Sequence, residues 1–152
     1  MIKYQKSLSR RKFNDKKECN NLIELQEVLK HRSKGNSNEF ELRTELEYPF
    51  LTILIKEELA CVHYFKDEND CGHYAYTENN GLEEAYVVFN IGSENEETEI
   101  SKDLVIPVEQ AYIAAIDFFE TCEMSKRMKW FAGKMMDDYG LSGYKIHPYG
   151  GK

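Results

Sequence analysis

No run of this sequence approaches the roughly 18 consecutive apolar residues that span a bilayer, and the start, Met1-Ile2-Lys3-Tyr4, lacks an apolar secretory core. These absences predict a cytoplasmic chain with no membrane partner. Cysteine is scarce and scattered: Cys19, Cys61, Cys71 and Cys122 form no C-x-x-C pair, which favours free thiols in a reducing compartment over a disulfide framework. There is no nucleophile elbow, no phosphate-cradling glycine loop and no H-E-x-x-H. His31, His63, His73 and His147 stand apart from any nucleophile in a recognisable motif. The expectation is a protein that is not an enzyme.

Metal motifs are equally thin. Thiolate and imidazole are good zinc ligands, and Cys61-Val62-His63 and Cys71-Gly72-His73 repeat a Cys-x-His pattern. With residues 67–72 as a hairpin loop, Cys61 lies some seven residues along the strands from the level of Cys71, roughly 23 Å at about 3.3 Å per residue. That is too far for one ion. Asp67, Glu68 and Asp70 resemble the start of a calcium loop, but the glycine and the distal glutamate are misplaced. Neither a metal nor a cofactor is expected.

What the chain does have is acid. The net charge of −7 hides an asymmetry: residues 1–38 hold 10 Lys/Arg and 4 Asp/Glu, whereas residues 39–152 hold 10 and 23. An acidic body repels nucleic acid and anionic membranes and accelerates encounter with a basic protein. The basic leader, residues 1–17, carries Arg10, Arg11, Lys12, Lys16 and Lys17 with only Phe13 as an anchor, and Ser7 to Lys17 reads as an exposed connector. Ile2 and Tyr4 offer a short edge strand.

The length of 152 residues fits one domain with a proper core, residues 133–152 forming a C-terminal extension. Asp15-x-x-Glu18 resembles a capping box opening a helix to about His31, with Leu22, Leu25, Val28 and Leu29 as its buried stripe. Phe40, Leu42, Thr44 and Leu46 alternate with charged residues, a half-buried strand broken at Tyr48-Pro49. The near-continuous apolar run Phe50 to Ile55 predicts a central strand, followed by strands over Leu59 to Phe65 and His73 to Thr77.

The centre of the chain runs from Tyr86 to Trp130. Val87, Val88, Phe89 and Ile91 predict a strand, and a hairpin with a glutamate-rich tip leads to strand character at Thr98, Ile100 and Leu104-Val105-Ile106. A helix is expected from Pro107 to Thr121, since proline suits a first helical turn and Glu109 suits the positive end of the dipole. Its apolar face is Val108, Ala111, Tyr112, Ala115, Phe118 and Phe119. Lys126 to Ala132 should return as a strand beside or near the hairpin. The fold class is therefore α+β, with an antiparallel sheet of about five to seven strands flanked by an N-terminal helix and a Pro-initiated central helix.

The run Val105-Ile106-Pro107-Val108-Glu109-Gln110-Ala111, a helix ending Phe118-Phe119-Glu120-Thr121, and Trp130 resembles the C-terminal signature of immunity protein family 1. Cys122 to Lys126 stands where that family tends to place a Gly and a Pro. The resemblance implies a cytoplasmic bacterial protein that binds and neutralises the toxin domain of a polymorphic toxin or contact-dependent growth inhibition system. An immunity protein of the SUKH class, or a small acidic regulatory domain with no toxin partner, also fits these residues. On the immunity reading, Asp67, Glu68, Asp70, Glu94, Glu96, Glu97 and Glu99, with Tyr74 and Tyr76, are the candidate toxin-binding residues, because aromatics ringed by carboxylates suit a basic protein surface. The expected partner is the C-terminal domain of a toxin, one acting on nucleic acid, met by a chain that is a monomer or weak homodimer when free.

Overall fold

The computed structural model describes residues 6–10, 15–30, 37–78, 81–90 and 97–133. Its strands are β1 (Lys6–Arg10), β2 (Asp15–Cys19), β3 (Ser37–Arg43), β4 (Phe50–Lys56), β5 (Leu59–Phe65), β6 (His73–Tyr76), β7 (Tyr86–Asn90), β8 (Glu97–Ser101), β9 (Ile106–Pro107) and β10 (Lys129–Ala132). The helices are α1 (Leu22–Lys30) and α2 (Val108–Thr121). The main sheet runs β10-β6-β5-β4-β3-β1-β2 with β9 added against β5, and every pairing is antiparallel. A separate hairpin, β7-β8, pairs antiparallel with itself. The α+β class is thus observed.

Why β4 reads as a continuous apolar run is clear from its position: it is buried on both faces. Leu51, Ile53 and Ile55 join Phe40, Leu42, Ala60, Val62 and Tyr64 against Leu25 and Leu29 of α1 and Val108, Ala111, Ala114, Ala115 and Phe118 of α2. Leu54, Cys61 and Tyr74 project to the other face and meet Val87, Phe89 and Ile100 of the hairpin, with Leu104 and Val105. Three layers result: helices, sheet, hairpin. Each fully buried large side chain in them contributes about 1.5–3 kcal/mol of transfer free energy.

Several expectations need correction. The span read as a basic connector contains a hairpin, β1-β2, whose first strand also pairs with β3 through Leu8↔Leu42 and Arg10↔Phe40. Backbone pairing to a preformed sheet overrides its weak hydrophobic pattern. Asp15-x-x-Glu18 does not open a helix, because Asp15–Cys19 is strand; the capping pair lies six residues on, where Asn21 Oδ1 accepts from Glu24 N at 2.9 Å and Glu24 Oε1 accepts from Asn20 N at 2.9 Å. The strand expected to reach Leu46 ends at Arg43, and Leu46 is exposed. Leu104 closes a single 3-10 turn, Lys102–Leu104, instead of extending a strand, and only Ile106–Pro107 pairs with β5. Pro107 is the N-cap of α2 rather than its first residue. Finally, the strand expected over Lys126 to Ala132 begins at Lys129; it pairs with β6, through Lys129↔Tyr76 to Ala132↔His73, and lies near the hairpin through Phe131, which packs against the hairpin's core cluster. Ile2, Tyr4, the hairpin tip at residues 91–96 and the extension beyond Gly133 lie outside the described residues.

Candidate binding surface

Phe50 pairs with Phe65 in the β4-β5 register, so the β3-β4 connection, residues 44–49, and the β5-β6 connection, residues 66–72, leave the same end of the sheet. Both are held by their own polar groups. In the second, Asp70 accepts from Lys66 N at 2.7 Å and from Gly72 N at 2.9 Å, while Asp67 Oδ1 accepts from Asn69 N at 2.9 Å. Asp70 is therefore an internal clip of the turn. Asp67 and Glu68 are exposed, and they are the carboxylates of this turn that face solvent. In the first connection, Thr44 Oγ1 accepts from Leu46 N at 3.0 Å, and Arg43 donates to the Glu47 carbonyl at 2.9 Å.

Behind the two turns lies a row of rings on the hairpin-side face of the sheet. Phe50 stacks on Phe65 with centroids 4.7 Å apart, Tyr48 lies 5.4 Å from Phe50, and His63 bridges Phe65 at 4.1 Å and Tyr74 at 3.8 Å. Arg43 sits 4.1 Å over the Phe50 ring and forms a two-pronged pair with Glu41, so its charge is already neutralised. His63 has a buried, unpartnered Nε2, and burial pushes its pKa down to about 3. His73 Nδ1 is also buried and lies 3.6 Å from Asp70, beyond hydrogen-bond range. Gly72 makes this packing possible: at φ +96° it sits so close that a Cβ would come within 2.0 Å of His63 Nε2.

The sequence-nominated residues do not form one cluster. Tyr74 is buried between His63 and the hairpin core, and Tyr76 is half-buried against Phe131 at 3.9 Å. Glu97 and Glu99 are exposed on β8, where Glu99 pairs with Val88. The Val88 carbonyl accepts from Lys56 Nζ at 3.1 Å, and Lys56 lies six residues from Phe50 along β4, about 20 Å of extended chain. Glu94 and Glu96 lie outside the described residues. Sequence reasoning passed over Leu46, Tyr48, Phe50 and Phe65. Leu46, an apolar residue between Glu45 and Glu47, was the available signal once the strand is seen to stop at Arg43.

At the far edge, Asp117 of α2 accepts from Arg127 and Ser125, and the guanidinium holds its carboxyl below the usual range. Ser125 in turn accepts the Trp130 indole N–H at its carbonyl, 2.9 Å away, which fastens β10 to α2. Burial raises the Cys61 thiol to about 12. Among the described residues no three His, Cys, Asp or Glu side chains are grouped to hold a metal, and no helix is long and apolar enough to cross a membrane. This end of the sheet therefore combines exposed carboxylates at Asp67 and Glu68, a set of aromatic rings, and turns held by their own hydrogen bonds.

A family profile described as "Immunity protein Imm1" matches residues 16–132. The chain is also similar to a protein of Burkholderia cenocepacia (strain H111) named "Double-stranded DNA deaminase immunity protein", with 29% identity over 122 residues, covering 78% of this chain and 94% of that protein. With most of both core layers and α2 inside the matched span, this chain belongs to the Imm1 immunity proteins, a family that neutralises toxins and is not itself enzymatic.

Proposed function

We propose that this chain acts as a single domain that protects the cell making it from a cognate toxin domain, by forming a stoichiometric complex that blocks substrate access. The observation that carries the reading is the Imm1 match over residues 16–132, joined by a relative named for immunity to a double-stranded DNA deaminase. Family membership decides against the SUKH class. The toxin we have in mind acts on nucleic acid and is the C-terminal domain of a polymorphic or contact-dependent inhibition protein met in the cytoplasm. A nucleic-acid enzyme presents a cationic cleft to phosphates. Residues 39–152, with 23 Asp/Glu against 10 Lys/Arg, have the opposite field. Carboxylates of the turn at Asp67 and Glu68 and of the hairpin at Glu94, Glu96, Glu97 and Glu99 would steer the encounter and shield the cleft from substrate.

The test is co-expression in a bacterial host of this chain with its cognate toxin domain. Growth restored by the chain, with a one-to-one complex on gel filtration, supports the proposal. Continued killing while both proteins accumulate in folded form overturns it.

A further inference from the structure

We propose that the β3-β4 and β5-β6 connections together form the primary docking knob, and that they seat in a toxin surface pairing an apolar pocket with a rim of lysines or arginines. This rests on the immunity reading and names the place of contact.

Leu46 is 55% exposed at the tip of its turn. The backbone that carries it is held in place, because its N–H donates to Thr44 and the neighbouring Glu47 carbonyl accepts from Arg43. A large apolar group fixed in this way loses little conformational freedom on docking, which is how a small number of residues come to dominate an interface. Half-buried Tyr48, Phe50 and Phe65 lie at the same end of the sheet, Tyr48 tilted against Phe50 and Phe50 stacked on Phe65.

Charge selects the occupant. Residues 44–49 and 66–72 contain five carboxylates and one cation, Lys66, while Arg43 is paired with Glu41. An aromatic platform for nucleic-acid bases needs a cationic track beside it for the phosphates, and here the sign is reversed. A basic protein surface satisfies both features. Among the described residues, the other exposed large apolar side chains, Ile23 on α1 and Tyr86 at the start of β7, stand on different elements.

The experiment uses the full chain and the catalytically inactivated toxin domain of the protection test, with binding followed by surface plasmon resonance. Leu46→Asp should weaken binding by about thirtyfold or more, the scale of an interface hot spot, while the melting temperature stays at the wild-type value because the side chain packs in neither core. Glu45→Gln with Glu47→Gln and Glu68→Gln should slow association about tenfold at low salt and flatten its salt dependence. Ile23→Asp, the control on α1, should bind as wild type does. If wild-type chain binds the toxin and Leu46→Asp binds it equally well, the docking knob is wrong and the immunity reading stands. Equal losses in Leu46→Asp and Ile23→Asp also overturn it. If the wild-type chain neither binds nor protects, both readings fall. A labelled single-stranded oligonucleotide provides the last arm: binding that Leu46→Asp abolishes would reassign the surface to nucleic acid.

Discussion

His63, half-buried with its Nε2 fully enclosed, makes stability fall with acid in a way that can be calculated. Its ring lies between Phe65 at 4.1 Å and Tyr74 at 3.8 Å, packs on Gly72, and carries an Nε2 with no partner. Burial lowers its pKa from the ordinary 6.5 to about 3, with a backbone bond to Cys71 and the Asp70 charge pulling the other way. The folded state therefore resists a proton that the unfolded state takes up below pH 6.5. The His63 contribution is intact above that value, and stability is lost as the pH falls from 6.5 toward 3. At about 1.4 kcal/mol per pH unit, the cost is near 0.2 kcal/mol at pH 7 and about 2 kcal/mol at pH 5. His63→Phe keeps an aromatic ring between the same neighbours and removes the titration. It loses the Cys71 bond, but that cost is nearly the same at both pH values. Urea denaturation of wild type and variant at pH 7 and pH 5 should show the stability difference moving by about 2 kcal/mol in favour of the variant on acidification. Parallel losses in the two proteins would refute a neutral His63 with an enclosed Nε2.

Three further outcomes follow from the packing. Gly72→Ala combines positive φ with a side-chain collision on His63, and should destabilise the chain by about 2–4 kcal/mol in the same denaturation assay; an unchanged midpoint would mean the ring is not seated there. Asp117→Asn should loosen the attachment of β10, lowering the melting temperature and red-shifting Trp130 emission. Because the Asp117 pKa is depressed, its contribution is present above the unfolded value of about 3.9 and disappears as pH falls through the folded one, so wild type and variant should converge in strong acid. Cys61 should resist an aromatic disulfide reagent at neutral pH until the protein unfolds, since its buried thiol sits near 12; fast labelling of Cys61 in native protein would contradict the hairpin layer that covers it.

Where packing had a strong period, the sequence was readable. The Pro107-initiated α2, the β4 run and the α1 stripe of Leu25 and Leu29 all announce themselves by apolar spacing. The burial of Phe118 and Val105 follows from the same rule. Strands without a hydrophobic pattern were invisible: β1 and β2 are drawn into the sheet by pairing with β3, which no local window encodes. The partner of β10 was likewise a matter of topology. For the candidate surface, residue type was legible but placement was not. Tyr74, offered as a contact residue, lies in the core; Asp70, offered as a docking carboxylate, clips its own turn; and Leu46, offered as a strand residue, is exposed. Each difference turns on which way one side chain points. That is decided by where a strand stops.

Neutralisation by a stoichiometric complex is read out by an activity titration. The cognate toxin domain is held at a concentration well above the dissociation constant and assayed on its own substrate while the chain is added. Activity should fall linearly and vanish at one chain per toxin, with the end point blunted as salt is raised. Full activity in the presence of excess folded chain, or complete loss at a small fraction of one equivalent, would contradict it.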